Sequence, residues 1–189
     1  MITKGDKTRQ FIIENAINLF SEKGYTAATM KDVCDRCQMS RGGVYRHFSS
    51  TKEIFIEMLE ADLEMNRSLV VDNIEKKVPA ERIIDTYFRK EVEEIFSDNN
   101  GLYFAIHEFA FAEPDQRESL NQRVSDSVNI LKMILEHGQE TKVFKTFDIE
   151  VVATHIIYFM DSLKTSSSIL AMSKEMLTQQ INLLKELII

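Results

Sequence analysis

Apolar residues recur along almost the whole chain at the three- and four-residue spacing of amphipathic helices. The first such stripe contains Ile12, Ala16, Leu19 and Phe20 and predicts a helix over residues 6–23. The alternating pattern of β-strands is scarce, and the 189 residues include only two prolines and six glycines. The pattern therefore predicts an all-α protein of about nine helices.

Capping residues and helix breakers set the expected ends of the remaining helices. Thr29, with Asp32 three residues later, suits one helix start, and Ser40 suits the next. Gly138 is expected to stop the seventh helix, and the eighth is expected to reach Met172. The predicted spans after the first are 30–37, 41–48, 51–76, 80–96, 102–112, 115–137, 149–172 and 174–189.

Charge divides the chain near Ser50. The formal net charge is −7, yet residues 1–52 hold nine Lys or Arg against five Asp or Glu. A basic N-terminal part on an acidic remainder fits DNA binding at one end of the molecule. We therefore predict a three-helix DNA-binding domain over residues 1–50 and a second helical domain over residues 51–189.

Residues 29–48 contain the most informative pattern in the chain. Two short amphipathic segments, 30–37 and 41–48, each follow a residue that suits helix capping. Only residues 38–40 separate them, which is too few for anything but a tight turn. The segments therefore predict a helix-turn-helix whose second helix lies in the major groove of DNA.

The second segment carries the chemistry that this role needs. Arg41 and Arg46 can each donate paired hydrogen bonds to a guanine. Gly42 and Gly43 weaken the helix, but they would also let its backbone approach the DNA closely. Polar tips that suit phosphate oxygens belong to Thr29, Ser40, Tyr45 and His47. A short basic arm that could touch DNA is formed by Lys4, Lys7 and Arg9.

This stretch, TMKDVCDRCQMSRGGVYRHF, resembles the DNA-binding signature of the tetracycline-repressor (TetR) family of bacterial transcriptional regulators. The matching positions are Thr29, Val33, Ser40, Gly42, Tyr45, His47 and Phe48. Cys34 and Cys37 stand where the family usually has alanine, and Gln38 stands where it has glycine. The family's phosphate-binding lysine falls at Thr51, so the resemblance implies that the DNA contact comes from Thr51 or from the adjacent Lys52, or else is absent from this chain.

The resemblance also implies a function for the second helical domain. Family members enclose a small-molecule pocket there, which predicts a ligand-responsive regulator, most often a repressor, that an inducer releases from a palindromic operator. They dimerise through their last two helices, which here means about residues 148–188. The aromatic, methionine and histidine side chains expected at the ligand are Phe88, Tyr103, Phe104, His107, Phe111, Met133, Tyr158 and Phe159.

Other classes of function remain as alternatives. Cys34 and Cys37 form a C-x-x-C that could sense oxidants, although core packing is the favoured interpretation. A ligand-independent regulator, an activator, a redox enzyme and a protein-interaction module also remain. No arrangement of residues suggests catalysis, a metal site or a cofactor. No apolar run is long enough for a membrane span and the N-terminus is polar, so we expect a cytoplasmic protein.

Overall fold

The computed structural model describes residues 3–189, and over that range the all-α prediction is confirmed. None of the helices in this range combines the length and apolar character that a bilayer span requires. The helices are α1 (Lys4–Lys23), α2 (Met30–Cys37), α3 (Arg41–Tyr45), α4 (Thr51–Glu75), α5 (Ala80–Ile95), α6 (Gly101–Ala112), α7 (Arg117–Glu140), α8 (Ile149–Ser167) and α9 (Lys174–Ile188), with a short 3₁₀ turn at Pro114–Gln116.

Side chains cap these helices where the sequence predicts. The Asp32 N–H donates to Thr29 Oγ1 at 3.2 Å, and the Thr29 N–H donates to the Asp32 carboxylate at 3.0 Å. The capping box before α2 is therefore confirmed. Ser40, Asp148 and Ser173 each accept a hydrogen bond from the backbone three residues later. These bonds satisfy N–H groups that a first helical turn leaves without an acceptor.

The predicted ends of α7 and α8 are wrong. Gly138 does not stop α7 but lies buried inside it. The ring of Phe144 packs where a Cβ would stand, so a larger residue does not fit there. The eighth helix ends at Ser167 rather than at Met172. The hydroxyls of Ser167 and Ser168 donate to carbonyls of the preceding turn at 2.7 Å, which offers the backbone an alternative to further helix.

The first of two compact units reaches to Asp62 and also includes Asp98–Asp115, so it contains α1 to α3, the start of α4, and α6. Four rings form its aromatic cluster, with neighbouring centroids 4.7–5.0 Å apart along the Phe20–Phe55, Tyr25–Phe55, Tyr25–Phe109 and Phe55–Phe109 pairs. Because Phe109 lies on α6, this unit extends beyond residue 50. The functional boundary at residue 50 stays a prediction.

The second compact unit comprises Leu63–Ser97 and Gln116–Ile189. Its core is apolar, yet Lys164 lies among carboxylates, with Nζ 2.8 Å from Glu91 and 2.7 Å from Glu94. Burial raises the pKa of Glu91 against the lowering effect of Lys164. The largest fully buried side chains of this core are Ile84, Phe88, Ile95, Leu131 and Ile134.

Candidate nucleic-acid interface

The turn between α2 and α3 depends on one strained residue. Gln38 has φ 54° and ψ 37°, the left-handed conformation that glycine adopts at lower cost. The N–H of Met39 donates to the carbonyl of Cys34 at 3.0 Å and closes the turn. The predicted helix-turn-helix is therefore present, although this chain places glutamine at the residue that reverses direction.

Helix α3 buries one side and exposes the other. Val44 has no exposed surface and Phe48 is 1% exposed, so both anchor the segment in the core of the first unit. Arg41, Tyr45 and Arg46 are exposed, as a surface that contacts DNA requires. The helix ends at Tyr45, earlier than the predicted Phe48, and a hydrogen-bonded turn follows it.

The two adjacent glycines of α3 differ in their surroundings. A Cβ built on Gly42 would meet no heavy atom within 4 Å. A Cβ on Gly43 would lie 3.3 Å from both the Met39 side chain and Ser40 Oγ. Gly42 therefore has room for a side chain in the free protein, so nothing inside this unit requires a glycine there.

Ion pairs neutralise four cations of the first unit. Their partners are Glu53 and Glu57 for Arg9, Asp32 for Lys23, Glu22 for Arg36, and Glu113 and Asp115 for Lys52. Arg41 and Arg46 have no carboxylate partner among residues 3–189. The same holds there for Lys4, Lys7 and Lys31. Positive charge without a counter-charge is therefore retained on α3, α2 and the start of α1.

Three residues implied at the DNA backbone differ in availability. Thr51 begins α4 and is partly exposed. Lys52 Nζ lies 2.8 Å from Glu113 and 2.7 Å from Asp115, and this bond lowers the pKa of Glu113. His47 is partly buried, and its Nε2 has no hydrogen-bond partner within the described residues. Of the two residues at the lysine position of the family, Lys52 is therefore held by carboxylates in the described structure, whereas Thr51 has no ion pair to break.

The expected basic arm is part of helix α1. Lys4, Lys7 and Arg9 all lie on α1, and Arg9 binds two carboxylates of α4. The sequence gives no short-range signal for this contact, because Glu53 and Glu57 follow Arg9 by 44 and 48 residues. A DNA contact from this arm stays a prediction.

Both cysteines are buried free thiols on α2, each 5% exposed. Burial raises the pKa of Cys37, with a smaller contribution from Cys34. A thiol of high pKa is a weak nucleophile because little thiolate is present. The packing interpretation is thus supported over oxidant sensing. No three His, Cys, Asp or Glu side chains group as metal ligands in the described part of the chain.

The eight residues predicted at a ligand fall into both compact units. Tyr103, Phe104, His107 and Phe111 lie on α6 in the first unit, and the other four lie in the second. Phe111 is 87% exposed, and Phe88 lies fully buried in the core. Tyr158 and Phe104 are exposed, and the remaining four are partly buried. Neither unit brings the whole set together, and its role at a ligand stays a prediction.

Comparison with known proteins places the N-terminal region in a family. A family model described as bacterial regulatory proteins of the tetR family matches residues 12–58. The HTH-type transcriptional regulator YfiR of Bacillus subtilis is 46% identical over 59 residues, which are 31% of this chain and 29% of YfiR. IcaR of Staphylococcus aureus, a negative transcriptional regulator of the biofilm operon icaADBC, is 34% identical over 65 residues, 34% of this chain and 35% of IcaR. The chain thus spans about a third of the length of these curated relatives.

The likeness in fold extends over the whole chain. The reduced form of Escherichia coli NemR superimposes with a TM-score of 0.80 over 97% of each chain, at 16% sequence identity. The fold and the α2–α3 geometry therefore define an all-α helix-turn-helix protein. Over residues 12–58 the chain matches the model of the tetR family of bacterial regulatory proteins, and both curated relatives match over a similar stretch.

Proposed function

We propose that this protein is a DNA-binding transcriptional regulator, rather than an enzyme, and that it acts as a repressor at a palindromic operator. Its curated relatives over the N-terminal region are transcriptional regulators, and IcaR is a negative one. As a regulator of transcription it would work in the cytoplasm. Operator DNA is the expected macromolecular partner.

The observation that carries this proposal is the charge left on α3. The helix is fixed in the core through Val44, and Arg41 on α3 and Arg46 at its C-cap are exposed without carboxylate partners in the described residues. Four other cations of the same unit are neutralised. Exposed arginines without counter-charges can donate hydrogen bonds to the edges of guanines and to phosphates.

Fluorescence anisotropy tests the proposal, with a duplex from the region upstream of the protein's own gene and a scrambled duplex of equal length. Arg41→Ala should cost about 1–3 kcal/mol on the upstream duplex and should relax the base preference at one position. Arg36→Ala, which removes an arginine paired with Glu22, should leave that preference unchanged. Equal affinity of the wild type for both duplexes would contradict the function.

We further propose a homodimer through α8 and α9, which places two copies of α3 in successive major grooves roughly 34–36 Å apart. Apolar side chains of both helices are exposed at helical spacing. Val151 and Tyr158 on α8 are 63% and 60% exposed, and Leu183 and Leu187 on α9 are 55% and 52% exposed. Apolar groups repeated along the exposed faces of two helices are typical of a surface that a partner covers.

Light scattering with size-exclusion chromatography tests the dimer. Leu183→Asp buries a charge in the proposed interface and should convert the dimer to a monomer. Asn182→Asp adds the same charge at the neighbouring exposed polar position and should leave the dimer intact. A Leu183→Asp variant that still elutes as a dimer would place the interface elsewhere.

A small-molecule inducer completes the proposal. The two compact units share α4, which begins in the first and continues in the second. A ligand that binds one conformation of the protein better than another shifts the population towards it, and only by that difference in affinity. A metabolite screen by thermal shift should find a compound that raises the melting temperature and releases the upstream duplex. Stabilising compounds that never change DNA affinity would favour a ligand-independent regulator.

A further inference from the structure

Helix α3 needs support from outside itself. It has only five residues, Arg41–Tyr45, and two of them are glycines, which are poor helix formers. The Val44 carbonyl near its end accepts from the N–H groups of His47 and Phe48, and the chain turns through residues 46–50 before α4 begins. The direction of α3 therefore depends on what holds this turn.

Arg9 of α1 uses all three guanidinium nitrogens to connect that turn to α4. Nη1 donates to the carbonyl of His47, and the guanidinium carbon lies 4.1 Å from the centroid of the Phe48 ring. Nε donates to both oxygens of Glu57 at 2.7 Å, and Nη2 donates to Glu57 and, at 3.2 Å, to Glu53. One side chain thus connects α1, the end of the α3 segment and the start of α4.

The carboxylate of Glu53 completes this arrangement from the other side. It accepts the backbone N–H of Ser49 at 2.7 Å and the Ser49 hydroxyl at 2.8 Å, and these bonds lower the pKa of Glu53. Glu53 and Glu57 are four residues apart on α4, where two like charges repel each other. The positive charge of Arg9 between them removes that repulsion and fixes both carboxylates.

We infer that Arg9 is a positioning residue for sequence-specific DNA binding: it clamps residues 47–49 between α1 and α4 and so sets the direction of α3, without touching DNA. This inference rests on the proposed function. A guanidinium is required, because a lysine ammonium cannot bridge two carboxylates and a carbonyl in one plane while it stacks on a ring.

Two substitutions of Arg9 and one matched control test the clamp on the full chain. Arg9→Met keeps an unbranched apolar stem against Phe48 but removes the donors. Arg9→Lys keeps the charge. The control is Arg36→Met, since Arg36 also pairs with a glutamate of the first unit and is 32% exposed, against 33% for Arg9. Melting temperatures define conditions in which every variant is folded.

The first measurement is anisotropy on the upstream and scrambled duplexes over a range of salt concentrations. Both Arg9 variants should bind the upstream duplex about tenfold more weakly, as for a misplaced base contact, and the scrambled duplex almost unchanged. The slope of log affinity against log salt should equal the wild-type slope. A slope smaller by about 0.9, or an Arg9→Lys variant with wild-type affinity, would mean that Arg9 neutralises a phosphate instead.

The second measurement is hydrogen exchange without DNA, which depends on the clamp and not on the function. Residues 41–50 should exchange faster in Arg9→Met than in Arg36→Met, and equal exchange would overturn the clamp. If the wild type discriminates between the duplexes and Arg9→Met discriminates equally, only the role of Arg9 fails. If the wild type does not discriminate, the proposed function fails, and the role of Arg9 in DNA binding fails with it.

Discussion

Replacing Gly42 by alanine should move stability and operator affinity in opposite directions. Alanine is the better helix former by about 0.5–1 kcal/mol, and the free protein offers no steric penalty, because a Cβ at Gly42 meets nothing within 4 Å. The free energy of unfolding should therefore rise by up to that amount. On DNA, a methyl group at a close approach of the backbone should cost about 1–3 kcal/mol, or roughly 5–150-fold in affinity.

The chain supplies a matched control for this experiment. Gly5 is also the second residue of its helix, and its N-cap Thr3 accepts from Asp6 as Ser40 accepts from Gly43. A Cβ on Gly5 meets only Thr3 Oγ1, at an ordinary 3.5 Å. Urea unfolding should give Gly5→Ala a similar gain in stability with unchanged operator affinity. If both variants bind operator equally well, α3 does not approach DNA through Gly42, and the reasoning is refuted.

Three further predictions concern folding, acid and oxidation. Gly138→Ala should destabilise the protein by about 1–3 kcal/mol in urea unfolding, because the new methyl overlaps a buried ring. A variant as stable as the wild type would contradict the packing of Phe144 on Gly138. Bonds from Lys23 and Thr29 lower the pKa of Asp32 to about 2. The stabilisation is therefore present above the unfolded-state pKa of about 3.9 and is lost as the pH falls towards 2. The difference in unfolding free energy between wild type and Asp32→Asn should shrink over that range, and a constant difference would contradict the assignment. Cys34 and Cys37 should react slowly with a thiol reagent in the folded protein, and peroxide should not change DNA affinity; rapid modification with loss of binding would favour oxidant sensing.

Short-range signals predicted much of this structure. The caps at Thr29, Ser40, Asp148 and Ser173 involve residues three apart in sequence, so the chain itself contains both partners of each bond. The exposed side of α3 followed from the same local pattern. Local chemistry of this kind is visible in the sequence, because neither partner depends on how the helices pack.

Long-range contacts account for what the sequence did not indicate. Glycine commonly ends a helix, and only the position of Phe144 shows why Gly138 is needed inside α7. Contact with DNA stays a prediction for Arg9 and Lys52, which are basic residues near a DNA-binding motif, but the sequence did not indicate their ion pairs. Their carboxylate partners lie 44 to 63 residues away, where no periodicity indicates a pairing.

The aromatic cluster of the first unit has a consequence for biosynthesis. Phe55 stacks on Phe109 at 4.7 Å, yet the chain between them includes all of α5. At 5–20 residues per second, a ribosome needs roughly 3–10 s to pass from one ring to the other. During that interval the nascent helix-turn-helix lacks α6, and the surfaces of Tyr25 and Phe55 that pack on Phe109 remain uncovered. The helix-turn-helix comes first in the chain, but the first compact unit cannot finish folding until α6 has been synthesised.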